Sequence, residues 1–405
     1  MTESVVIVGA GHAAGQAVAS LRQEGFKGAI TVVGDEGVAP YQRPPLSKKF
    51  LAGEIGLDRV LFKPVEFYAK ADAELILSDT VTAIDAAGHT VALASGRTLP
   101  YTKLLLATGG RVRRLSCPGA DLPGVHYLRT IADVEGIRAH FRDGARLVIV
   151  GGGYIGLEVA AVAVKHGLDV TVIEMAPTVL GRVTCPEVAE FFQRVHREEG
   201  VKIMTGTALN ALEGEGHVTG VRTSTGEVLP ADFVIAGIGI VPNQELAIEA
   251  GLACDNGIVV DEHCRTSDPD IYAAGDCTDH PNPIYGRRMR LESVHNALEQ
   301  AKTAAASICG NNKPYRQVPW FWSDQYDLKL QIAGLSQGYD RVVIRGDISG
   351  RSFAAFYLKD GKLIAVDAVN RAPEFMMSKI LIEKGATIPP ERLADESISM
   401  KDMAA

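Results

Sequence analysis

Two stretches of the chain share one hydrophobic rhythm. The first runs Val5-Val6-Ile7-Val8, then Gly9-Ala10-Gly11-His12-Ala13-Ala14-Gly15, small residues to about Glu24, and a second apolar group, Ile30-Thr31-Val32-Val33. The second runs Leu147-Val148-Ile149-Val150, then Gly151-Gly152-Gly153-Tyr154-Ile155-Gly156, a helical pattern to about His166, and Val170-Thr171-Val172-Ile173. An unbroken β-branched run before glycine reads as a strand buried on both faces. Each stretch therefore predicts strand, glycine turn, helix and second strand, and each closes on an acid, Asp35 or Glu174.

The glycines have separate physical jobs. The first (Gly9, Gly151) permits a tight turn, the second (Gly11, Gly153) lets backbone approach a pyrophosphate, and the third lets helix pack close to strand. Gly156 fills the third position in the second copy, and Ala14 is a small-residue substitute in the first. Helix N-terminal amides would meet the anion. The acid follows the second glycine by 24 residues in the first copy and 21 in the second, the spacing of a ribose-binding carboxylate. Glu174 disfavours a 2'-phosphate, and Met175-Ala176-Pro177 brings no arginine to welcome one, so NADH is expected over NADPH; Arg182 is the nearest cation in sequence.

Between the copies, Leu104-Leu105-Leu106-Ala107-Thr108-Gly109-Gly110 reads as a buried strand leading to a glycine turn, with a crossing linker over 111–123. Phe233-Val234-Ile235-Ala236-Gly237-Ile238-Gly239 repeats that strand at the far end of the second copy, so the second dinucleotide domain is inserted into the first. Beyond residue 318 the pattern changes to alternating strands over 328–333, 341–345, 352–358 and 363–369, closed by a helix over 374–383. The expected fold is α/β, with two Rossmann-like domains and a C-terminal α+β domain.

A net charge of -8 opposes general nucleic-acid binding. No apolar run has the length of a membrane helix, and the amino end carries no basic leader, so a cytoplasmic protein without a membrane partner is expected. The cysteines at 117, 185, 254, 264, 277 and 309 form no C-x-x-C pair and no zinc spacing, so they read as free thiols with no metal.

Both fingerprints, together with Pro40-Tyr41-Gln42-Arg43-Pro44-Pro45-Leu46-Ser47-Lys48, Ala107-Thr108-Gly109-Gly110, Ile271-Tyr272-Ala273-Ala274-Gly275-Asp276, Glu292-Ser293-Val294-His295-Asn296-Ala297 and Trp320-Phe321-Trp322-Ser323-Asp324-Gln325, resemble the FAD-dependent NADH:ferredoxin reductases of oxygenase systems. The resemblance covers nearly the whole chain and implies a glutathione-reductase-like fold. Residues 1–111 and 240–317 would form the FAD domain, 112–239 the NAD domain, and 318–405 a C-terminal interface domain.

By this resemblance non-covalent FAD is held by Gly9, Gly11, Ala14, Asp35, Arg43, Lys48, Thr108, Gly109, Asp276, Val294 and Trp320, and NADH by Gly151, Gly153, Gly156, Glu158 and Glu174. Lys48, beside the isoalloxazine, and Glu158, beside the nicotinamide, are the expected catalytic residues, joined as an ion pair across the domain interface. The helix opening at Val294 would point at the flavin pyrimidine edge. Trp320 and Trp322 are placed on opposite faces of a strand, with Trp320 toward the flavin. The implied partner is a [2Fe-2S] ferredoxin, held in a transient electrostatic complex and serving a cytochrome P-450 or related oxygenase. Lys313, Arg316, Lys329 and Arg341 are candidate docking cations. Two other readings keep the fold: an NADH-dependent reductase of a small acceptor, of the monodehydroascorbate type, and a redox-responsive NADH-binding flavoprotein acting through a partner. Relatives that use a redox disulfide need paired cysteines beside the flavin, and none stands here.

Overall fold

The apolar run that begins the chain is the strand Ser4–Val8 in the computed structural model, which describes residues 3–404. Met1, Thr2 and Ala405, included in the expected domain limits and the amino-end reading, lie outside the described residues. Val5, Val6 and Ile7 are all buried because the strand sits inside a parallel sheet covered on both faces. The sheet order is Ile271–Ala273, Lys103–Leu106, Ser4–Val8, Ala29–Gly34, Ala73–Leu77. On one face lie the helices His12–Gln23 and Val294–Ile308, which meet through Ala13, Ala14, Ala17, Ala297, Ala301 and Ala304, side chains short enough for close approach. The other face is covered in part by a three-stranded antiparallel meander, Val81–Asp85, Thr90–Leu93 and Thr98–Pro100. These elements form one compact unit, made of the residues up to Gln42, Leu57–Arg111 and Val241–Pro319.

A second unit comprises Arg43–Gly56, Val112–Ile240 and the chain from Trp320. It repeats the parallel sheet in the order Lys202–Met204, Asp169–Ile173, Arg146–Val150, Phe233–Ala236, Val125–Tyr127, and repeats the meander as Leu209–Glu213, Gly220–Thr223 and Val228–Pro230. Its C-terminal part is a five-stranded antiparallel sheet, ordered Trp320–Gln325, Leu328–Gly334, Lys362–Val369, Ser352–Lys359, Arg341–Asp347, with the helix Ala372–Glu383. The four strands expected beyond residue 328 and the closing helix are present within a few residues of their expected limits. Neither meander was expected, because strands of three to five residues with one wet face carry little periodicity.

Inside the second unit Asp367 joins this sheet to the helix Pro186–Glu198. Its Oδ2 accepts hydrogen bonds from Tyr357, at 2.5 Å, and from Thr184, while the Tyr357 hydroxyl accepts from the Cys185 amide at 3.0 Å, at the N-cap of that helix. Burial pushes the Asp367 carboxyl up to about 6, against the opposing pull of its two hydrogen bonds.

Candidate functional site

In the first unit the chain turns sharply after Val8. Gly9 has φ +107°, and a Cβ there would stand 2.2 Å from the Ala107 carbonyl oxygen, so only glycine fits. Gly11, the N-cap of the helix His12–Gln23, caps it with no side chain, and a Cβ there would meet nothing within 4 Å. The second unit repeats both features: Gly151 has φ +108° with the Gly237 oxygen 2.5 Å from a built Cβ, and Gly153 caps the helix Tyr154–Lys165 beside open space. Neither helix has an acid in its first turn, so the positive end of each dipole is uncompensated. Open backbone donors and a helix end with no capping side chain and no acid in its first turn suit a phosphate group, and the residues present fit a bound dinucleotide at each turn.

The copies differ in ways the sequence spacing hides. Ala14, at the third fingerprint position, is fully buried with its methyl accommodated, whereas the intolerant position is its neighbour: a Cβ at Gly15 would stand 2.6 Å from the Phe62 ring. In the second copy Gly156 is itself required, because a Cβ would lie 2.3 Å from the Gly151 oxygen. Val8 pairs with Val33, and Val150 with Ile173, so Glu174 occupies the register of Gly34 and Asp35 falls one residue further on, exposed. The exchange is reciprocal. Gly34 makes room for Ala10, whose Cβ would be 2.5 Å from a Cβ at 34, while Gly152 makes room for Glu174, at 3.2 Å. The Glu174 carboxylate accepts from the Gly152 amide at 2.7 Å and the Ala176 amide at 2.8 Å, which orients it and leaves further acceptor positions.

Other expected residues belong to the same unit as the Gly9 turn, with the Thr108 amide 3.3 Å from a Cβ built at Gly9. Gly275, with φ +93°, stands against Ala13 and Ala297 and precedes the half-buried Asp276. Val294 is the first residue of its helix, whose N-cap Ser293 accepts from the Asn296 amide at 3.1 Å, again with no acid in the first turn. The Thr108 hydroxyl donates to the Asn243 oxygen at 2.6 Å, and the Asn243 amide donates back to Thr108 O at 2.9 Å, so that hydroxyl clasps the chain beside Gly109. Cys277, one residue past Asp276, is buried with its thiol pushed up by burial, and all six cysteines are free.

Arg43, Lys48, Glu158 and Trp320 all belong to the second unit. Arg43 donates to the Arg129 carbonyl at 2.5 Å. Pro44 and Pro45 open a short 3-10 turn, Pro44–Ser47, that delivers Ser47 and Lys48 to one spot. Lys48 Nζ lies 2.7 Å from Glu158 Oε2, the expected pairing, made within this unit because the segment Arg43–Gly56 packs there. Glu158 is no helix-surface acid: it is 1% exposed, against 16% for the lysine side chain. Ser47 Oγ donates to Oε2 at 2.5 Å and Ser323 Oγ to Oε1 at 2.6 Å. A buried carboxylate is stable only with such compensation, and here a cation and two hydroxyls provide it. An ammonium has three donors; Lys48 directs one at Glu158 and a longer one, 3.4 Å, at Pro44 O.

The expectation for the tryptophans is corrected. Trp320 and Trp322 share a face of the strand Trp320–Gln325, with ring centroids 5.5 Å apart, because residues two apart on a strand point the same way. Trp320 also meets Phe375 edge-on at 5.7 Å. The opposite face carries Phe321, Ser323 and Gln325 toward the helix of Glu158, where Phe321 packs on Tyr154 at 4.8 Å. Ser47, Ser323 and Gln325 were missed as site residues. Their signal was two polar residues on the inward phase of an aromatic strand, and a serine beside the expected lysine.

Residues 3–301 match the family model described as pyridine nucleotide-disulphide oxidoreductase, and 320–404 match one described as reductase C-terminal. The putidaredoxin reductase CamA of Pseudomonas putida is 46% identical over 409 residues, spanning 100% of this chain and 97% of that protein. Among solved structures, the ferredoxin reductase for the CYP199A2 system from Rhodopseudomonas palustris is 45% identical, with a TM-score of 0.97 and all of both chains covered. The reductase in a covalent putidaredoxin reductase-putidaredoxin complex is 45% identical, with a TM-score of 0.96, over 99% of this chain and 98% of that one. With likeness of that extent around two such glycine turns, the chain belongs to the pyridine nucleotide-disulphide oxidoreductase family.

Proposed function

We propose that this chain is an NADH-dependent FAD flavoprotein that reduces a [2Fe-2S] ferredoxin, which in turn supplies a cytochrome P-450 or related oxygenase. The observation that carries the reading is the buried Lys48–Glu158 pair on a chain whose cysteines are all free. Full-length likeness to ferredoxin reductases supports the acceptor. Free thiols leave no internal disulfide to take electrons, so an external acceptor must. NADH gives two electrons as a hydride and a ferredoxin takes one at a time; bound FAD supplies the exchange between the two.

The chain's own residues bind and orient. By the family resemblance, Gly9, Gly11, Ala14, Asp35, Arg43, Lys48, Thr108, Gly109, Asp276, Val294 and Trp320 would hold FAD. Gly151, Gly153, Gly156 and Glu174 would hold NADH in residues 112–239, and residues 318–405 would serve the interface. Lys48 would present positive charge where negative charge arrives with the hydride, and Glu158 would set the lysine's position and meet the nicotinamide. Among the described residues no helix is long and apolar enough to cross a membrane, and reduced thiols suit a cytoplasmic setting.

The test is stopped-flow mixing of NADH-reduced protein with a [2Fe-2S] ferredoxin, a rubredoxin and monodehydroascorbate. Fast reoxidation by ferredoxin is expected. Fast reoxidation only by monodehydroascorbate overturns the proposed acceptor, and a persistent reduced complex with none of them favours a signalling flavoprotein.

A further inference from the structure

Beyond Ser323 the hydrogen bonds continue through the second unit. Gln325 Nε2 donates to Ser323 Oγ at 3.0 Å, Gln325 Oε1 faces His196 Nε2 at 2.7 Å, and His196 Nδ1 faces the Tyr326 hydroxyl at 2.9 Å. Glu158, Ser323, Gln325 and His196 are each at most 1% exposed. Chemistry fixes the sense of every link. The Gln325 carbonyl can only accept, so His196 donates from Nε2. The neutral ring then accepts at Nδ1, so Tyr326 donates its O–H. Ser323 accepts one hydrogen bond, from Gln325, and donates its own O–H to Glu158. All four donors therefore point toward the carboxylate, and aligned bonds in a buried chain polarise one another.

We propose that Ser323, Gln325 and His196 are positioning residues, a one-way chain that locks the Glu158 carboxylate and through it the Lys48 ammonium. The proposal rests on the reading of that pair as the place where NADH delivers hydride. Oε2 takes Lys48 and Ser47 while Oε1 takes Ser323, so the serine stops the carboxylate from turning and releasing the lysine. Burial pushes the His196 imidazole down to about 4, which keeps it neutral, and the direction of the chain intact, at neutral pH. The chain is not a proton wire, because moving a proton through the Gln325 amide would leave an imidic acid behind. Its outer end is fixed as well: Tyr326 holds φ +58°, rare for a bulky residue, in the turn between two strands. Lys165, the last residue of the helix that carries Glu158, lies 5.5 Å from the Tyr326 ring centroid.

The experiment is anaerobic stopped-flow reduction of the FAD-bound protein by NADH, giving a limiting rate and a half-saturating NADH concentration. The variants are Ser323→Ala, Ser323→Thr, Glu158→Gln and the double variant Ser323→Ala with Glu158→Gln. Loss of one hydrogen bond to a charged group should slow the limiting rate about 10-fold in Ser323→Ala, with little change in half-saturation. Ser323→Thr, which keeps the hydroxyl, should recover most of the rate. In the Glu158→Gln background Ser323→Ala should add nothing, since its effect travels through the carboxylate. An equal fold-loss in both backgrounds, or a Ser323→Ala rate matching the parent, overturns the positioning role. A Glu158→Gln rate matching the parent overturns the reading of the pair itself, and the positioning role with it. If Ser323→Ala fails to hold FAD, Gln325→Met, one link further from the carboxylate, is put through the same cycle.

Discussion

Replacing Asp367 by Asn removes a charge that the fold buries and keeps the oxygen that Tyr357 and Thr184 use. The folded protein pushes this carboxyl from an ordinary 3.8 up to about 6. A raised carboxyl makes the protonated form the favoured one in the fold. Its contribution is therefore fully present below about pH 4 and is lost as pH rises through about 6. A shift of about 2 units corresponds to ~3 kcal/mol in total, of which roughly half is lost between pH 5 and pH 8. Asn cannot ionise and suffers no such loss. Trp320 and Trp322, the protein's two tryptophans, stand on the edge strand of the same sheet as Asp367 and report its unfolding. In urea denaturation followed by their fluorescence, Asp367→Asn should gain ~1.5 kcal/mol on the parent as pH rises from 5 to 8. A stability difference that stays constant, or shrinks, over that range refutes the reasoning.

Gly9→Ala should abolish FAD retention and lower the melting temperature, because φ +107° and a 2.2 Å contact with backbone allow no relaxation; ordinary FAD content after purification would contradict this. Lys48→Met should slow reduction by NADH by about 100-fold, the usual cost of removing one preorganised charge-stabilising donor. An unchanged rate in the stopped-flow trace removes Lys48 from the chemistry. Alkylating the accessible thiols of the native protein with iodoacetamide should leave NADH-to-ferredoxin turnover intact, since burial keeps Cys185, Cys264 and Cys277 protonated and none is paired. Inhibition in step with thiol loss would point to a cysteine in the electron path.

The two strand-turn-helix units were legible because buried parallel strands are written as unbroken apolar runs and the turns demand glycine at fixed places. The pairing of Lys48 with Glu158 was legible through family resemblance, 110 residues apart in sequence. The surroundings of Glu158 were not. Ser47, Ser323, Gln325 and His196 become neighbours only when the 3-10 turn, the aromatic strand and the helix Pro186–Glu198 pack together, and no local period marks a polar side chain for that role. The tryptophan error came from treating a spacing of two as opposite faces, when it is the period of one face. Asp35 and Glu174 looked equivalent by spacing, yet strand register offsets them by one residue, a relation that only the ladder of paired strands defines.

The most direct measurement is anaerobic titration of the FAD-reconstituted protein with NADH, followed by addition of a [2Fe-2S] ferredoxin, with both steps read from absorbance. Loss of the flavin's yellow colour at one NADH per flavin, and then two equivalents of ferredoxin reduced, is the expected result. A protein that holds no flavin, or whose flavin stays oxidised in excess NADH, contradicts the account.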